Sequence, residues 1–512
     1  MLDPLPLTIP HLVEAAATAR GDASALIEEG TTWSFAQLRD ACRAAASAML
    51  VAGIGSGDRV AIWAPNRREW IAGAVGAMTC GAAIVPLNTR LKGREAGELL
   101  RRTRAAMLLT VGDFLGTDYP AMLTQEDLPD LRRIVTFDRD WGGFLAEGNG
   151  SNDPAIDTAM AGVTPDSVSD ILFTSGTTGA PKGVVSTHDR VVRLFAAWAE
   201  TMGLEEGERY LIINPFFHSF GYKAGWVAAL IAGATMLPVA TFDVAHAAQM
   251  IAQQRINFLP GPPTIYYALL EAKAQQDFDT SSLRGAATGA ATVPPDLIRR
   301  MRSELGLVDT VTAYGMTECG TITSCRRGDD AELIAESCGR ALPGLEVCVV
   351  DDDGNALPPG EAGEILVRGY GVMREYLDDP DATAEAIDNN GWLHTGDIGT
   401  LDDAGYLRIT DRKKDMFISG GFNVYPAEVE RLLAPCPAIA QVAVIGVPDP
   451  RMGEVGKAFV VRRAGNGDDE GEIIAWARAN MANYKVPRMI EFVESLPQNA
   501  SGKVMKNVLA AR

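Results

Sequence analysis

Short apolar runs alternate with helix-like segments through the first two thirds of the chain. The apolar runs have the length and composition of buried strands, and the segments between them repeat apolar residues at the spacing of a helix. Alternation of this kind is typical of an α/β domain in which helices cover a mostly parallel sheet. The predicted strands are residues 60–63, 107–111, 171–174, 210–214 and 258–260, and the predicted helices are residues 190–202 and 296–305.

Two longer apolar stretches, residues 70–87 and 224–242, raise the question of a membrane span. Each stretch is interrupted by glycine and ends in a strand-like run that contains proline. A buried helix, a tight turn and a buried strand account for these breaks better than one continuous spanning helix does. We therefore expect two further units of the parallel sheet and no integral membrane segment.

Length, charge and cysteine usage narrow the class of protein. The 512 residues exceed what a single hydrophobic core usually serves, so two or more cores are expected. A formal net charge of -20 argues against nucleic acid and anionic membranes as partners, because like charges repel. The seven scattered cysteines include no C-x-x-C pair, so we expect neither a disulfide framework nor a zinc cluster. This cysteine usage and an N-terminus without signal-peptide features together predict a reducing, cytoplasmic location.

The strand-like run at residues 171–174 passes directly into a loop rich in glycine and hydroxyl side chains. Glycines let backbone N–H groups approach phosphate oxygens, hydroxyls add donors, and a lysine supplies compensating charge. The spacing is not that of a Walker A motif, since Pro181 precedes Lys182. A flexible linker is the alternative, although linkers rarely follow a buried strand directly. The candidate phosphate-binding residues are Thr174, Ser175, Gly176, Thr177, Thr178, Gly179 and Lys182.

The loop sequence, Thr-Ser-Gly-Thr-Thr-Gly-Ala-Pro-Lys-Gly, resembles the signature of the acyl-adenylate-forming superfamily. That superfamily contains acyl-CoA synthetases, peptide-synthetase adenylation domains and firefly-type luciferases. Further motifs similar to those of the superfamily follow in the expected order: Tyr-Gly-Met-Thr-Glu at 314–318, Gly-Trp-Leu-His-Thr-Gly-Asp at 391–397, Asp-Arg-Lys-Lys-Asp at 411–415, Gly-Gly-Phe-Asn-Val-Tyr-Pro-Ala-Glu at 420–428 and Pro-Gln-Asn-Ala-Ser-Gly-Lys at 497–503. Each motif alone is weakly specific, but six in order leave little room for chance.

The resemblance implies an α/β fold with a large N-terminal domain of layered parallel sheets and helices, a β-rich subdomain and a small, mobile α+β C-terminal domain. Short strands separated by Gly, Asp and Pro turns after about residue 339 agree with the β-rich subdomain. The implied N-terminal adenylation domain spans residues 1–411, the hinge 412–414 and the C-terminal domain 415–512. Lys414 lies in this hinge, and rotation about it would bring the Gly420-Gly421 loop to the pantetheine tunnel.

The implied reaction joins a carboxylic acid to coenzyme A and uses ATP and Mg²⁺. A carboxylate oxygen first attacks the α-phosphorus of ATP, so charge grows on phosphate oxygens and must be met by cations and N–H dipoles. By resemblance Lys503 bridges the carboxylate and the α-phosphate, Thr317 touches the α-phosphate, and Glu318 with Thr178 binds Mg²⁺. Read alone, Lys503 would be a solvated tail lysine. The resemblance further assigns the nucleotide to Gly289, Ala290, Ala291, Tyr314, Gly315, Asp397 and Arg412, with Tyr314 stacked on adenine and Asp397 at the ribose.

The segment at residues 215–225, Pro-Phe-Phe-His-Ser-Phe-Gly-Tyr-Lys-Ala-Gly, follows a predicted strand. Its His218 holds the position that gates the acid pocket or meets the substrate carboxylate in related ligases, although a single histidine in an apolar run is often structural. Phe220, Gly221 and Lys223 are assigned with it to the substrate pocket. Lys223 either snorkels outward, contacts a polar group far from the reacting end of the acid, or meets a CoA phosphate.

Amino-acid-activating relatives carry an aspartate in this region for the α-ammonium, and this chain has none, so a simple carboxylic acid is expected. With residues 259–265 and 288–294, the segment looks closest to actinobacterial acyl-CoA ligases that activate the propanoate side chain of the C/D-ring indanedione left from steroid breakdown (HIP-CoA ligase-like). The alternatives are a medium- or long-chain fatty acid, an aryl acid, or loading of a carrier protein, for which no carrier domain follows. The oligomeric state, monomer or homodimer, is left open.

Other function classes fit less well. A luciferase-type oxygenase would share these motifs, so the fold alone does not exclude it. A nucleotide-binding module without catalysis predicts loss of Lys503 or Glu318, whereas both are in place. A hydrolase is disfavoured because neither G-x-S-x-G nor H-E-x-x-H occurs.

Overall fold

The structure, a computed structural model, describes residues 2–174, 181–289, 293–412, 415–419, 422–424, 426–449, 452–463, 469–481, 483–498 and 504–511. Up to residue 161, strands alternate with helices that begin at polar caps. Helix α2 starts at a capping box, in which the Ser34 hydroxyl accepts from Gln37 N–H and the Gln37 side chain accepts from Ser34 N–H. The strands are β1 (Ser24–Glu28), β2 (Thr31–Ser34), β3 (Arg59–Trp63), β4 (Ala83–Pro86), β5 (Met107–Thr110), β6 (Asp113–Phe114), β7 (Thr117–Asp118) and β8 (Arg133–Thr136). The helices are α1 (Ile9–Arg20), α2 (Phe35–Val51), α3 (Arg68–Thr79), α4 (Gly93–Thr103), α5 (Tyr119–Met122), α6 (Trp141–Ala146) and α7 (Pro154–Ala161).

The next region carries the loop at residues 174–182 and the segment at residues 215–225. Helix α13 begins at a proline with Asp296 in its first turn, which suits both the missing N–H and the helix dipole. The strands are β9 (Val168–Phe173), β10 (Gly183–Thr187), β11 (Arg209–Ile212), β12 (Thr235–Pro238), β13 (Gly285–Thr288), β14 (Asp309–Met316), β15 (Gly320–Ser324) and β16 (Arg340–Ala341). The helices are α8 (His188–Met202), α9 (Ser219–Gly221), a π-helix (Tyr222–Val227), α10 (Ala228–Ala232), α11 (Val244–Gln254), α12 (Pro263–Gln275), α13 (Pro295–Leu305) and α14 (Ala331–Glu336).

The last third of the chain is richer in strands. Helix α17 repeats the capping-box device with Asp469 and Glu472. The strands are β17 (Leu345–Val350), β18 (Gly363–Gly369), β19 (Glu375–Tyr376), β20 (Leu393–Leu401), β21 (Leu407–Arg412), β22 (Phe417–Ser419), β23 (Phe422–Val424), β24 (Ile439–Asp449), β25 (Gly453–Arg462) and β26 (Met489–Phe492). The helices are α15 (Pro380–Ala386), α16 (Pro426–Leu433), α17 (Glu470–Asn480) and α18 (Lys506–Ala510).

The sheet that carries the phosphate loop has the strand order β19-β10-β9-β4-β3-β5-β8. From β9 to β8 the neighbours are parallel, whereas β10 is antiparallel to both β9 and β19. Strands β4 and β5 are buried along their whole length, as expected when helices cover both faces of a parallel sheet. The predicted parallel sheet is confirmed.

A second sheet runs β11-β12-β1-β2, and Phe258 joins β11 to the sheet β13-β14-β15-β16 by single bridges to Tyr210 and Gly285. The structure has no strand at residues 258–260, so that prediction is wrong in extent: Phe258 forms isolated bridges, and Leu259 N–H and Gly261 N–H donate to the carbonyls of Gly285 and Ala287, each at 3.0 Å. The three prolines of the Pro-Gly-Pro-Pro sequence lack the N–H groups that would extend a ladder.

Strands β17, β18, β20 and β21 form an antiparallel sheet, which confirms the predicted β-rich subdomain. Further along, β23-β22-β25-β24 with β26 beside β25 forms a separate sheet packed by α16 and α17. The main hydrophobic cluster runs from Ile9 to Leu407, and the clusters of the final sheet run from Phe417 to Leu509. The α/β class with more than one core is confirmed.

The two long apolar stretches become helix, turn and strand as predicted. The first is α3 followed by β4, and the second is the π-helix and α10 followed by β12. Within the part of the chain that the structure describes, no helix combines the length and the apolar character needed to cross a bilayer.

Candidate active site

The ends of the phosphate loop are pinned by the hairpin that β9 and β10 form. Phe173 pairs with Gly183, and Thr174 N–H donates to the Lys182 carbonyl at 3.0 Å. The Arg102 guanidinium donates to the Pro181 carbonyl at 2.7 Å and lies 5.3 Å from the Phe173 ring centroid. Thr174 and Lys182 are thus held together at the mouth of the loop. Ser175, Gly176, Thr177, Thr178 and Gly179 lie outside the described residues.

One aromatic side chain links this loop to the predicted metal ligand. The Tyr376 hydroxyl donates to Glu318 Oε1 at 2.8 Å, and the Lys182 ammonium lies 4.7 Å from the Tyr376 ring centroid. Both Glu318 and Tyr376 are buried. Burial, together with the negative charge of Glu318, raises the pKa of the Tyr376 phenol, so the hydroxyl stays a donor. Tyr376 lies in none of the six motifs, and the pairing of β19 with β10 is what brings it to this loop.

The predicted base and sugar residues come together from distant strands. Tyr314, on β14, donates its hydroxyl to Asp397 Oδ2, on β20, at 2.6 Å. Both side chains are buried. The Thr395 hydroxyl accepts from Asp397 N–H at 3.1 Å, and Asp397 pairs through its backbone with Arg412. Tyr314 and Asp397 therefore form one unit, which the sequence placed in separate motifs.

Two glycines allow the backbone of β14 to lie close to its neighbours in the sheet. A Cβ on Gly315 would lie 2.2 Å from the Gly320 carbonyl oxygen, and one on Gly289 would lie 3.0 Å from the Ala313 carbonyl oxygen. Thr317 is half-buried in the turn between β14 and β15, next to Glu318. The remaining predicted site residues lie outside the described part of the chain: Ala290, Ala291, Lys414, Gly420, Gly421 and Lys503.

The segment at residues 218–221, called the acid segment below, begins a short helix after β11. His218 Nδ1 accepts from Phe220 N–H at 3.1 Å, so the ring proton of a neutral imidazole lies on Nε2. The imidazole keeps accessible surface, yet the surrounding protein lowers its pKa by desolvation, which favours the neutral ring. Gly221 is required, because a Cβ there would lie 2.2 Å from the Asn214 carbonyl oxygen.

Hydrogen bonds from Asn66 fix the entry to the acid segment. Its side-chain amide donates to the Asn214 carbonyl at 2.9 Å, and its Oδ1 accepts from Phe216 N–H at 2.7 Å. Asn66 is buried and lies after β3, on the neighbouring sheet. Like Tyr376, it lies in none of the six motifs.

Lys223 requires a correction. Its side chain is buried, with Nζ 2.8 Å from Asp170 Oδ1 and 2.9 Å from Ser186 Oγ. The outward, snorkelling arrangement is wrong. The ammonium faces an internal carboxylate, and only 4% of the residue is exposed. The assignment of Lys223 to the substrate pocket or to a CoA phosphate stays a prediction. Lys223 belongs to the π-helix Tyr222–Val227, which directs its side chain into the core.

Comparison with known families matches residues 13–377 to the family described as AMP-binding enzyme and residues 428–503 to the AMP-binding enzyme C-terminal domain. A 3-[(3aS,4S,7aS)-7a-methyl-1,5-dioxo-octahydro-1H-inden-4-yl]propanoyl:CoA ligase from Mycobacterium tuberculosis is 50% identical over 505 residues, which cover 98% of this chain and 97% of that protein. The ligase of the same name from Rhodococcus jostii is 47% identical over 518 residues and covers 98% of both chains. Among solved structures, the anthranilate CoA ligase AuaEII in complex with anthranoyl-AMP is similar, with a TM-score of 0.85 and 27% identity, over 99% of this chain and 98% of that one.

Proposed function

This chain belongs to the AMP-binding enzyme family and is an acyl-CoA synthetase, and from that premise we propose that its acid is the indanedione propanoate of the two ligases it resembles. The single observation that carries the proposal is 50% identity across 98% of the chain with a ligase of that acid. The resemblance of this chain to that group of ligases, predicted from the sequence, is confirmed by these relatives.

For the nucleotide, we propose that Lys182 and Thr174 hold the β- and γ-phosphates and that Thr317 contacts the α-phosphate. Tyr314 would stack on adenine while its hydroxyl orients the Asp397 carboxylate toward the ribose hydroxyls. The 2.6 Å bond between Tyr314 and Asp397 supports this division, because one side chain then fixes both the base and the sugar.

A magnesium ion fits the donor set. The described residues hold no cluster of three or more His, Cys, Asp or Glu side chains that could bind a metal alone. Mg²⁺ commonly takes one or two carboxylates and completes its shell with phosphate oxygens and water. Glu318, held by Tyr376, matches that pattern, and we assign it the ion together with Thr178. When bound, the ion supplies charge neutralisation at the phosphates.

In the acid site, neutral His218 would donate its Nε2 proton to a carboxylate oxygen of the substrate. The second carboxylate oxygen attacks the α-phosphorus, its bond to phosphorus forms, and the bond to pyrophosphate breaks. We assign Lys503 to the negative charge that grows between the carboxylate and the α-phosphate during this step. In the second step the deprotonated thiol of CoA attacks the acyl carbon and AMP leaves.

We assign the conformational change between adenylation and thioester formation to rotation of the C-terminal domain. We propose residues 1–411 and 415–512 as the two domains and residues 412–414, with Lys414, as the hinge. The separate hydrophobic clusters that end at Leu407 and begin at Phe417 support this division. Gly420 and Gly421 would then shape the pantetheine path. A cytoplasmic location, and the choice between monomer and homodimer, stay predictions.

The acid assignment is tested by a substrate panel. Release of AMP is measured, with ATP and CoA saturating, for steroid-ring propanoates, medium- and long-chain fatty acids and aryl acids. We expect the indanedione propanoate to give the highest kcat/KM by at least about tenfold, which corresponds to about 1.4 kcal/mol. A tenfold preference for a fatty or aryl acid would overturn the assignment while leaving the acyl-CoA synthetase chemistry in place.

A further inference from the structure

A buried cluster of polar side chains joins the acid segment to the strands that carry the phosphate loop. This Lys223 cluster consists of Lys223, Asp170, Ser186, Ser169 and Tyr222, none of which is more than 6% exposed. Lys223 Nζ lies 2.8 Å from Asp170 Oδ1 and donates to Ser186 Oγ at 2.9 Å. Asp170 Oδ2 accepts from the hydroxyls of Ser169 at 2.7 Å and Tyr222 at 3.4 Å. One ammonium thus contacts two strands at once.

The positions of these contacts along the chain are informative. Asp170 lies on β9, four residues before Thr174, and Ser186 lies on β10, four residues after Lys182. Lys223 follows the acid segment by two residues and belongs to the π-helix Tyr222–Val227. The cluster is therefore a short physical link between the acid segment and both arms of the phosphate hairpin.

Stability alone does not account for this arrangement. Removing two charges from water costs free energy, and a well-packed hydrophobic pair of similar volume is often as stable or more so. The π-helix is likewise a rare backbone form that is frequently found at functional sites. A buried ion pair and a π-helix thus occur at the same residue, two positions after the acid segment.

We propose that Lys223 is a positioning residue, which fixes the acid segment relative to the phosphate hairpin so that the substrate carboxylate and the α-phosphate meet in line. The inference rests on the proposed roles of the acid segment and of the loop at residues 174–182. It adds that the acid and the nucleotide bind cooperatively through the cluster. The order that one ligand imposes on its own segment lowers the free-energy cost of binding the other.

The experiment measures this coupling directly. The Kd of α,β-methylene-ATP, which cannot release pyrophosphate, is determined by calorimetry with and without saturating acid. The acid is whichever panel member has the highest kcat/KM, so a wrong acid assignment changes the ligand and leaves this test intact. For the unaltered enzyme we expect the acid to tighten nucleotide binding by at least about fivefold. An absence of such tightening overturns the proposal.

Variants then separate positioning from packing. Lys223→Met leaves the Asp170 carboxylate buried without its partner and should lower Tm strongly. The double variant D170N/K223M removes both charges, so we expect Tm to return close to that of the unaltered enzyme. Its nucleotide–acid coupling should nevertheless fall below about twofold, and kcat/KM for the acid should fall at least about tenfold. Recovery of both coupling and kcat/KM along with Tm would show that the pair serves packing alone.

A milder pair of variants decides the matter if the double variant does not fold. Ser186→Ala removes one hydrogen bond of Lys223 and keeps the ion pair, and we expect it to reduce the coupling at least about twofold. Ser47→Ala is the matched control, because Ser47 is also a buried hydroxyl with a charged partner, in its case the Asp153 carboxylate at 2.9 Å. It should lower stability without changing the coupling. Equal coupling in the two variants would overturn the proposal.

Discussion

Two lysines approach the same β-hairpin and differ in how their charge is met. Lys182 ends the phosphate loop, is half-buried, and places its ammonium 4.7 Å from the Tyr376 ring centroid. In the described part of the chain no carboxylate lies within ion-pair distance of it. Lys223 contacts the same two strands from within the core, and its charge is met by Asp170 at 2.8 Å. The Lys182 charge is therefore left for an anionic ligand, whereas the Lys223 charge is already neutralised by a carboxylate.

Substitution of a third lysine, Lys503, is expected to have the largest effect on activity. Lys503→Ala should reduce acyl-adenylate formation at least about a thousandfold, because the charge between carboxylate and α-phosphate loses its partner. A preformed acyl-adenylate should still react with CoA at close to the original rate. Pyrophosphate release and thioester formation are measured separately. Equal loss in the two half-reactions would contradict the role assigned to Lys503.

Lys182→Ala tests the accessible lysine. We expect kcat/KM for ATP to fall by about a hundredfold, since one charge-assisted contact to the phosphates is lost, while Tm changes little. Steady-state kinetics at varied ATP and a thermal melt measure the two effects. Lys182→Arg, which keeps the charge, should recover part of the loss. If Lys182→Ala lowers Tm as Lys223→Met does and leaves the ATP kinetics unchanged, the contrast between the two lysines fails.

Tyr376→Phe tests the hydroxyl that donates to Glu318 separately from the ring beside Lys182. The variant keeps the ring and removes the hydroxyl. We expect the Mg²⁺ concentration needed for half-maximal adenylation to rise about tenfold, as is typical when the group that orients a metal ligand is removed. Titration of the adenylation rate with Mg²⁺ at fixed ATP measures this. An unchanged Mg²⁺ requirement would separate Tyr376 from the metal site and leave it a packing residue.

Two histidines repeat the contrast on a smaller scale. His218 keeps accessible surface, whereas His188 is buried, its Nδ1 accepts from Ile9 N–H at 3.3 Å, and burial lowers the pKa of His188 to about 3. Because the folded pKa lies below the unfolded value of about 6.5, the unfolded chain binds more protons as pH falls. This histidine therefore contributes a stability loss on the order of 1 kcal/mol between pH 7 and pH 5.5.

His188→Gln removes this contribution. Denaturant unfolding at several pH values, with the variant compared to the unaltered chain, measures the difference in slope. The slope below pH 6.5 should be shallower in the variant, whereas identical slopes would show that the buried histidine does not set the acid response.

Much of the site could be predicted from the chain, because its motifs are local. Residues 171–183 predicted a strand followed by a phosphate loop, and the structure has β9, the pinned ends Thr174 and Lys182, and then β10. The helix and strand in each long apolar stretch were likewise predictable, since burial on both faces leaves a continuous apolar signal. The short extent of pairing at residues 258–261 was not, because prolines limit where a ladder can continue.

The family, the reaction class and the residue types predicted to meet phosphate follow from the amino-acid order alone, since glycine, hydroxyl and lysine act through local backbone geometry and charge. Which side chains become partners depends on the fold. Tyr314 donates to Asp397, Tyr376 donates to Glu318, and Lys223 lies 2.8 Å from Asp170. These pairings depend on how strands far apart in the chain pack together. The partner of a buried charge is set by that packing, so a local sequence pattern does not predict it.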